Sequence, residues 1–297
     1  PKRESVLTIG VFDGVHKGHH YLFSRLVSEA ADSGRLAGII TLRNHPANVL
    51  GREAKPFYIT TVNDRVRLLR ELGVDFVVPI TFNMELSQMR ASQFVAILRD
   101  RLCMSGLVVG PDFAMGYERD GNVSMLMSLG GKTGFSVSVV EPLMENHRRI
   151  ASTEIREMLI GGDVDKAAFL LGRNFVLSGT VIKGAGRGIQ IGFPTANLSI
   201  AEDLIVPGHG IYAAWANLDR QRYMAAVSIG TNPTFGEGDQ TVEAFVLDFD
   251  GDLYGKKLLL EFVSRLRAEI KYDSVNELRS QICNDVCEIK KILDRKD

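Results

Sequence analysis

The sequence predicts two folds in succession. Residues 1–171 read as an α/β domain built on a doubly wound parallel sheet, and residues 172–297 as a small antiparallel β-barrel with a C-terminal helix. Three observations carry this. Short apolar runs alternate with helix-length amphipathic stretches through the first half, the rhythm of right-handed βαβ crossovers. Near Gly172 the rhythm changes, and strand-like runs follow one another with only turns between them. The last stretch, Ser274 to Leu293, returns to helical spacing.

Taken in order, Val6 to Ile9 is a β-branched apolar run suited to a buried parallel strand, and it breaks at Gly10. Leu22, Leu26 and Val27 then recur with helical spacing. LAGIITL at 36–42 is a second strand, 63–72 a helix, DFVVPITF at 75–82 a third strand and ASQFVAILRDRL at 91–102 a helix. Gly106 to Gly110 and Phe135 to Val140 are the fourth and fifth strands, flanking a helix at 122–129; further helices follow at 152–160 and 163–171. Gly172-Arg173-Asn174 connects to the second domain, where strands are predicted at 175–182, 210–218, 223–230, 242–249 and 257–263. Five or six strands joined by turns close into a barrel, and the terminal helix, striped by Leu278, Ile282, Val286 and Ile289, lies across it. In the parallel sheet, ligands are expected beyond the carboxyl ends of the strands, where His16, His45 and Asp112 fall.

Composition narrows the function. Lys plus Arg number 35 against 36 Asp plus Glu, so no basic excess recruits nucleic acid, and any polyphosphate must be held by local geometry. Three cysteines, Cys103, Cys283 and Cys287, favour free thiols in a reducing compartment. No apolar run is long enough to span a membrane and no signal-peptide pattern is present, so a cytoplasmic protein with small-molecule partners is expected. Pro1 stands where an initiator Met would, so a trimmed start is expected. Oligomeric state is not legible.

Two clusters carry chemistry. In VLTIGVFDGVHKGHH, His16, Gly18 and His19 sit at a helix mouth just past a strand, a place suited to an anion. Gly18 lets a phosphate approach the backbone, and the two imidazoles can donate to charge building on phosphoryl oxygens. In GAGRGIQIGFPTANL, Gly184, Gly186 and Gly188 leave a backbone free to wrap phosphates, with Arg187 as a clamp. Thr195 and Asn197 follow, oxygen donors two residues apart that suit Mg²⁺ bridging ATP phosphates. Glu243 alternates with Phe245 and Leu247, which predicts an acid on an otherwise apolar inward face.

GVFDGVHKGHH resembles the His-x-Gly-His signature of the nucleotidylyltransferase superfamily, most closely in the form found in bacterial bifunctional riboflavin kinase/FAD synthetases. GFPTAN, from Gly192 to Asn197, is similar to the riboflavin kinase signature, and the Leu247-Asp248-Phe249 and Asp252-Leu253-Tyr254-Gly255 segments also look like that family. The resemblance implies a first domain of nucleotidylyltransferase type that adenylylates FMN to FAD with ATP, and a barrel that phosphorylates riboflavin to FMN. It makes Glu243 the general base for the ribityl 5′-hydroxyl and puts Gly10, Phe12 and Gly18 on the nucleotide. ASTEIR at 151–156 resembles a Ser-Ser-x-Ile-Arg-type motif, which adds Ser152 and Thr153 as phosphate contacts and Arg156 to His16 and His19 as a catalytic group. TLRNHP at 41–46 and VGPDFAMGYERDGN at 109–122 resemble flavin-pocket segments, implying His45, Pro46, Asp112 and Asn122 as flavin contacts. Ala151, Leu42, Asn44 and Met115 depart from the family pattern. Two rivals therefore stay open: a riboflavin kinase with impaired adenylylation, and a flavin-binding regulator without turnover.

Overall fold

Val6 and Leu7 lie on opposite faces of the first strand, β1 (Ser5–Gly10), and both are fully buried, so this strand must be covered on each side. The structure is a computed structural model and describes residues 3–51, 57–145, 148–184, 186–219, 221–231 and 240–295. β2 (Leu36–Leu42), β3 (Phe76–Ile80), β4 (Met104–Val109) and β5 (Ser136–Val139) join β1 in a parallel sheet of order β3-β2-β1-β4-β5. Helices α1 (Lys17–Asp32) and α2 (Val62–Arg70) cover one face, packing Phe23, Leu26 and Leu69 on Val6, Ile39 and Val77. Helices α3 (Ala91–Leu102) and α4 (Val123–Thr133) cover the other, packing Val95, Leu98 and Leu126 on Leu7, Ile9 and Leu107. Pro79 lacks a donor and is tolerated because β3 is an edge strand. The order reverses between β1 and β4, so the loops leaving their carboxyl ends diverge and open a crevice for a ligand.

The compact units divide between Ser152 and Thr153, whereas the sequence reading puts the boundary after residue 171. The reason is packing. α5 (Ser152–Gly161) leads into α6 (Val164–Leu171), and α6 rests on two strands of the second unit, β6 (Phe175–Ile182) and β11 (Lys257–Arg267). The turn between the helices is tied to the same unit, since Arg265 donates to the Gly161 carbonyl.

β7 (Ala196–Ser199), β8 (Gly210–Leu218), β9 (Gln221–Thr231) and β10 (Gln240–Val246) complete a closed antiparallel barrel of order β6-β7-β10-β9-β8-β11. Its interior corrects one expectation. Val242, Ala244 and Val246 of β10 face inward, so Glu243 and Phe245 stand on the outer wall and not on an inward face. Small and branched side chains fill a narrow barrel, and the strand ends at Val246, beyond which Asp248 turns to φ 56° and takes Leu247 out of the alternation. The last helix, α7 (Val275–Asp294), packs Ile289 and Leu293 on Ala213, Trp215 and Val263. Its buried stripe departs from the expected one: Asp285 occupies it, gripped by Arg267 through hydrogen bonds of 3.0 and 2.6 Å. Among the described residues no helix is long and apolar enough to cross a membrane.

Candidate active sites

The loop between β1 and α1 is held in an unusual shape. Phe12, Gly14 and Val15 have φ of 52°, 79° and 42°, and for a bulky or β-branched side chain each such position costs roughly 1–3 kcal/mol. Gly10 is required here because the Phe12 ring folds back over it; a Cβ would lie 2.7 Å from that ring. The buried ring then packs edge-on against His19 and Phe23, with centroids 5.3 and 4.9 Å away, so it supports the histidine from beneath.

His16 caps α1, and the cap is reciprocal. His16 Nδ1 accepts from the His19 N–H and His19 Nδ1 accepts from the His16 N–H, both at 3.3 Å, while the rings stack with centroids 3.6 Å apart. An Nδ1 that accepts cannot carry a proton, so both neutral imidazoles hold theirs on Nε2 and present donors. Burial lowers His16 to about pKa 4, reinforced by His20, and drives His19 well below its ordinary value with help from His16, His20, Arg65 and Arg149. No acid lies in the first turn of α1 to compete for an anion. Gly18 lets the His16 ring lie close over the backbone, since a Cβ there would sit 3.1 Å from that ring.

The sign of the His16 shift makes a stability prediction. Below pH 6.5 the unfolded imidazole takes up a proton that the folded one refuses until about pH 4, so stability falls as pH drops through that window and levels off below it. The loss from this group is on the order of 3 kcal/mol. Urea titrations at successive pH values should show a smaller acid slope for His16→Asn, which keeps a capping oxygen.

Other predicted residues of the first site are placed as follows. Ser152 Oγ donates to the Asp13 carbonyl at 2.9 Å, so its proton is committed to the loop. Thr153 and Arg156 lie on α5, exposed and half-buried respectively. His45 caps the 3₁₀ turn Pro46–Asn48 through Nδ1, and Asn122 caps α4. Asp112 forms an exposed ion pair with Arg149, which the sequence reading missed. Arg149 lies on a two-residue strand without periodicity, and its only signal was its position just before ASTEIR.

In the barrel, Asn197 of β7, Glu243 of β10 and Ser228 of β9 oppose one another across neighbouring strands and form a row on the outer wall. Ser228 was missed too, although the inward alternation of Ala225, Val227 and Ile229 leaves it outward. Thr195 Oγ1 donates to Glu243 Oε2 at 3.0 Å. The glycine loop lies directly on this group: a Cβ on Gly184 would be 2.2 Å from Asn197 Nδ2, and one on Gly188 would be 2.3 Å from the Phe193 carbonyl and 3.3 Å from Thr195 Oγ1. Gly186 adopts φ 69° ahead of the one-turn helix Arg187–Gln190; the Arg187 side chain lies outside the described residues. A cavity of about 190 Å³ opens beside Thr195, walled by Ile189, Pro194, Phe249, Leu253 and Tyr254 and suited to a flat ring. Gly184→Ala should displace the Asn197 carboxamide and slow turnover at this site about a hundredfold, with chemistry at the histidine site unchanged.

The donor set favours a hard cation over a soft one. With its proton given to Glu243, Thr195 offers oxygen lone pairs beside the Asn197 carboxamide. Among the described residues no three His, Cys, Asp or Glu side chains gather as a metal site.

Comparison with known proteins agrees in both halves. The FAD synthetase family matches residues 1–154 and the riboflavin kinase family residues 171–293. The bifunctional riboflavin kinase/FMN adenylyltransferase of Bacillus subtilis is 34% identical over 95% of this chain and 90% of its own, and that of Escherichia coli 32% over 96% and 91%. The namesake from Pseudomonas fluorescens is 35% identical over 96% and 91%. A crystal structure from Streptococcus pneumoniae, described as a macrolide-efflux protein, superposes with a TM-score of 0.89 at 29% identity, covering 98% of this chain and 95% of that one.

Proposed function

This chain belongs to the family of bifunctional riboflavin kinase/FMN adenylyltransferases, and on that premise we propose which of its residues carry each reaction. It phosphorylates riboflavin to FMN with ATP in its C-terminal domain, and transfers an adenylyl group from a second ATP to FMN in its N-terminal domain, giving FAD and pyrophosphate.

For the kinase, Glu243 takes the proton from the ribityl 5′-hydroxyl as that oxygen bonds to the γ-phosphorus of ATP and the bridge to the β-phosphate breaks, releasing ADP, and the Thr195 hydrogen bond orients the carboxylate. The loop from Gly184 to Gly188 covers the ATP phosphates. Thr195 and Asn197 would hold Mg²⁺, which when bound offsets phosphate charge. For adenylylation, an FMN phosphate oxygen bonds to the α-phosphorus of ATP as the bridge to the β-phosphorus breaks, with no protein nucleophile. His16 and His19 donate from Nε2 to the phosphoryl oxygens, and Arg156 and Arg149 offset the charge of the departing pyrophosphate. Thr153 adds a hydroxyl, and His45, Pro46, Asp112 and Asn122 border the flavin. The free cysteines support a cytoplasmic setting.

The observation that carries this reading is the reciprocal His16/His19 cap, which leaves both Nε2–H groups as donors at a helix N-terminus whose first turn holds no acid. Chromatography of flavins after incubation with ATP, Mg²⁺ and either riboflavin or FMN tests it. FMN then FAD from the first mixture, and FAD from the second, are expected; FMN alone would favour the kinase with an impaired second site, and no conversion the regulator.

A further inference from the structure

We propose that Arg65 is the positioning residue of the adenylylation site, holding the 11–16 loop, and with it His16 and His19, in the geometry the chemistry needs. The proposal rests on the adenylyltransferase reading of that site.

Arg65 sits on α2, outside both signatures, and is fully buried. Its guanidinium works as a fork. Nη1 donates to the carbonyls of Val11 at 3.0 Å and Leu42 at 2.7 Å, joining the loop after β1 to the end of β2. Nε reaches Thr60 Oγ1 at 3.5 Å, Nη2 lies 3.6 Å from Asp13 Oδ1, and the plane stands over the Tyr58 ring at 5.6 Å.

These contacts continue through Thr60 and Asp13. The Asp13 carboxylate accepts from the Ile59 and Thr60 N–H groups and from the Thr60 hydroxyl at 3.0–3.1 Å, and Thr60 Oγ1 in turn accepts from the Gly14 N–H at 3.2 Å. The Val11 carbonyl also accepts from Thr41 at 2.9 Å. Residues 11, 13 and 14 are therefore gripped, on either side of the positive-φ Phe12 and immediately before the positive-φ Val15, as a strained loop requires. A buried ion pair is a poor device for stability alone, because packed apolar side chains serve as well. What the guanidinium adds is that Nε and Nη2 face Thr60 and Asp13 while Nη1 holds the two carbonyls, and a lysine ammonium, a single nitrogen, cannot cover all four positions at once.

Its charge acts on the histidines as well. The groups facing His19 are His16, which caps α1, His20 of α1, Arg65 of α2 and Arg149 of the two-residue strand before α5, with Asp13 of the loop facing His16. A protonated His19 could no longer accept the His16 N–H, and the reciprocal cap would open. Removing the Arg65 charge therefore raises the pH at which the cap fails.

The test uses the full chain with Arg65→Met and Arg65→Lys, following FAD formation from supplied FMN across pH, riboflavin phosphorylation on the same preparations, and circular dichroism. Arg65→Met should lower kcat for FAD formation about a hundredfold and move its acid limb to higher pH, with phosphorylation unchanged. Arg65→Lys should keep the acid limb in place and lose less. An unchanged kcat in Arg65→Met overturns the proposal. So does a loss matched by loss of secondary structure, with the acid limb of the remaining activity unmoved. His19→Ala run in parallel separates the two readings: if it too leaves FAD formation unchanged, the adenylyltransferase assignment of the site falls, and not merely the role of Arg65.

Discussion

Glu243→Gln will abolish riboflavin phosphorylation, by about 10²–10⁴-fold, while FMN supplied directly is still converted to FAD. The substitution isolates proton transfer. A glutamine oxygen can still accept the Thr195 hydroxyl that contacts Glu243 at 3.0 Å, so the row on the outer wall keeps its shape, but the amide cannot take the proton of an attacking hydroxyl. Side-chain size changes little, and Glu243 is only half-buried on its strand, so folding is not at stake. Rates measured separately with riboflavin and with FMN decide it. Equal loss of both would sink the assignment of the two reactions to two sites.

His19→Ala has the second-largest expected effect, on the other reaction. FAD formation from FMN should slow about 10²–10³-fold, the scale set by removing one preorganised donor aimed at a developing oxyanion, while riboflavin is still converted to FMN. Alanine removes the Nε2–H donor and also the acceptor that holds the His16 N–H at 3.3 Å, so His16 loses its restraint as well. Single-turnover mixing of enzyme, ATP and FMN reads the chemical step directly. An unchanged rate removes His19 from the mechanism.

The central strands β1, β2 and β4 were legible because burial on both faces makes them short continuous apolar runs. The barrel strands were legible where alternation ran long enough. β7 escaped as a strand because it is four residues long and carries Asn197 at one of them, so its signal was chemical rather than periodic. Alternation correctly put Glu243 and Phe245 on one face of β10 but carried no information about which face was interior; only the closed barrel settles that. Arg65 was hidden for a different reason. In VNDRVRLLR an arginine reads as the solvated side of an amphipathic helix, and its burial depends on carbonyls of Val11 and Leu42 that the fold brings from far along the chain. The two histidines stood out through their spacing, but their reciprocal cap, and hence the tautomer they present, follows from backbone geometry.

The barrel is opened by β6 and shut by β11, with Phe175 paired to Phe262. During synthesis, β6 therefore waits for its partner while the ribosome adds the intervening chain, on the order of ten seconds of elongation. The parallel sheet, whose last strand ends at Val139, can assemble well before that. A chain stalled or cleaved short of β11 would thus carry a finished sheet beside a β-structure with raw edges, the kind of edge on which other chains aggregate.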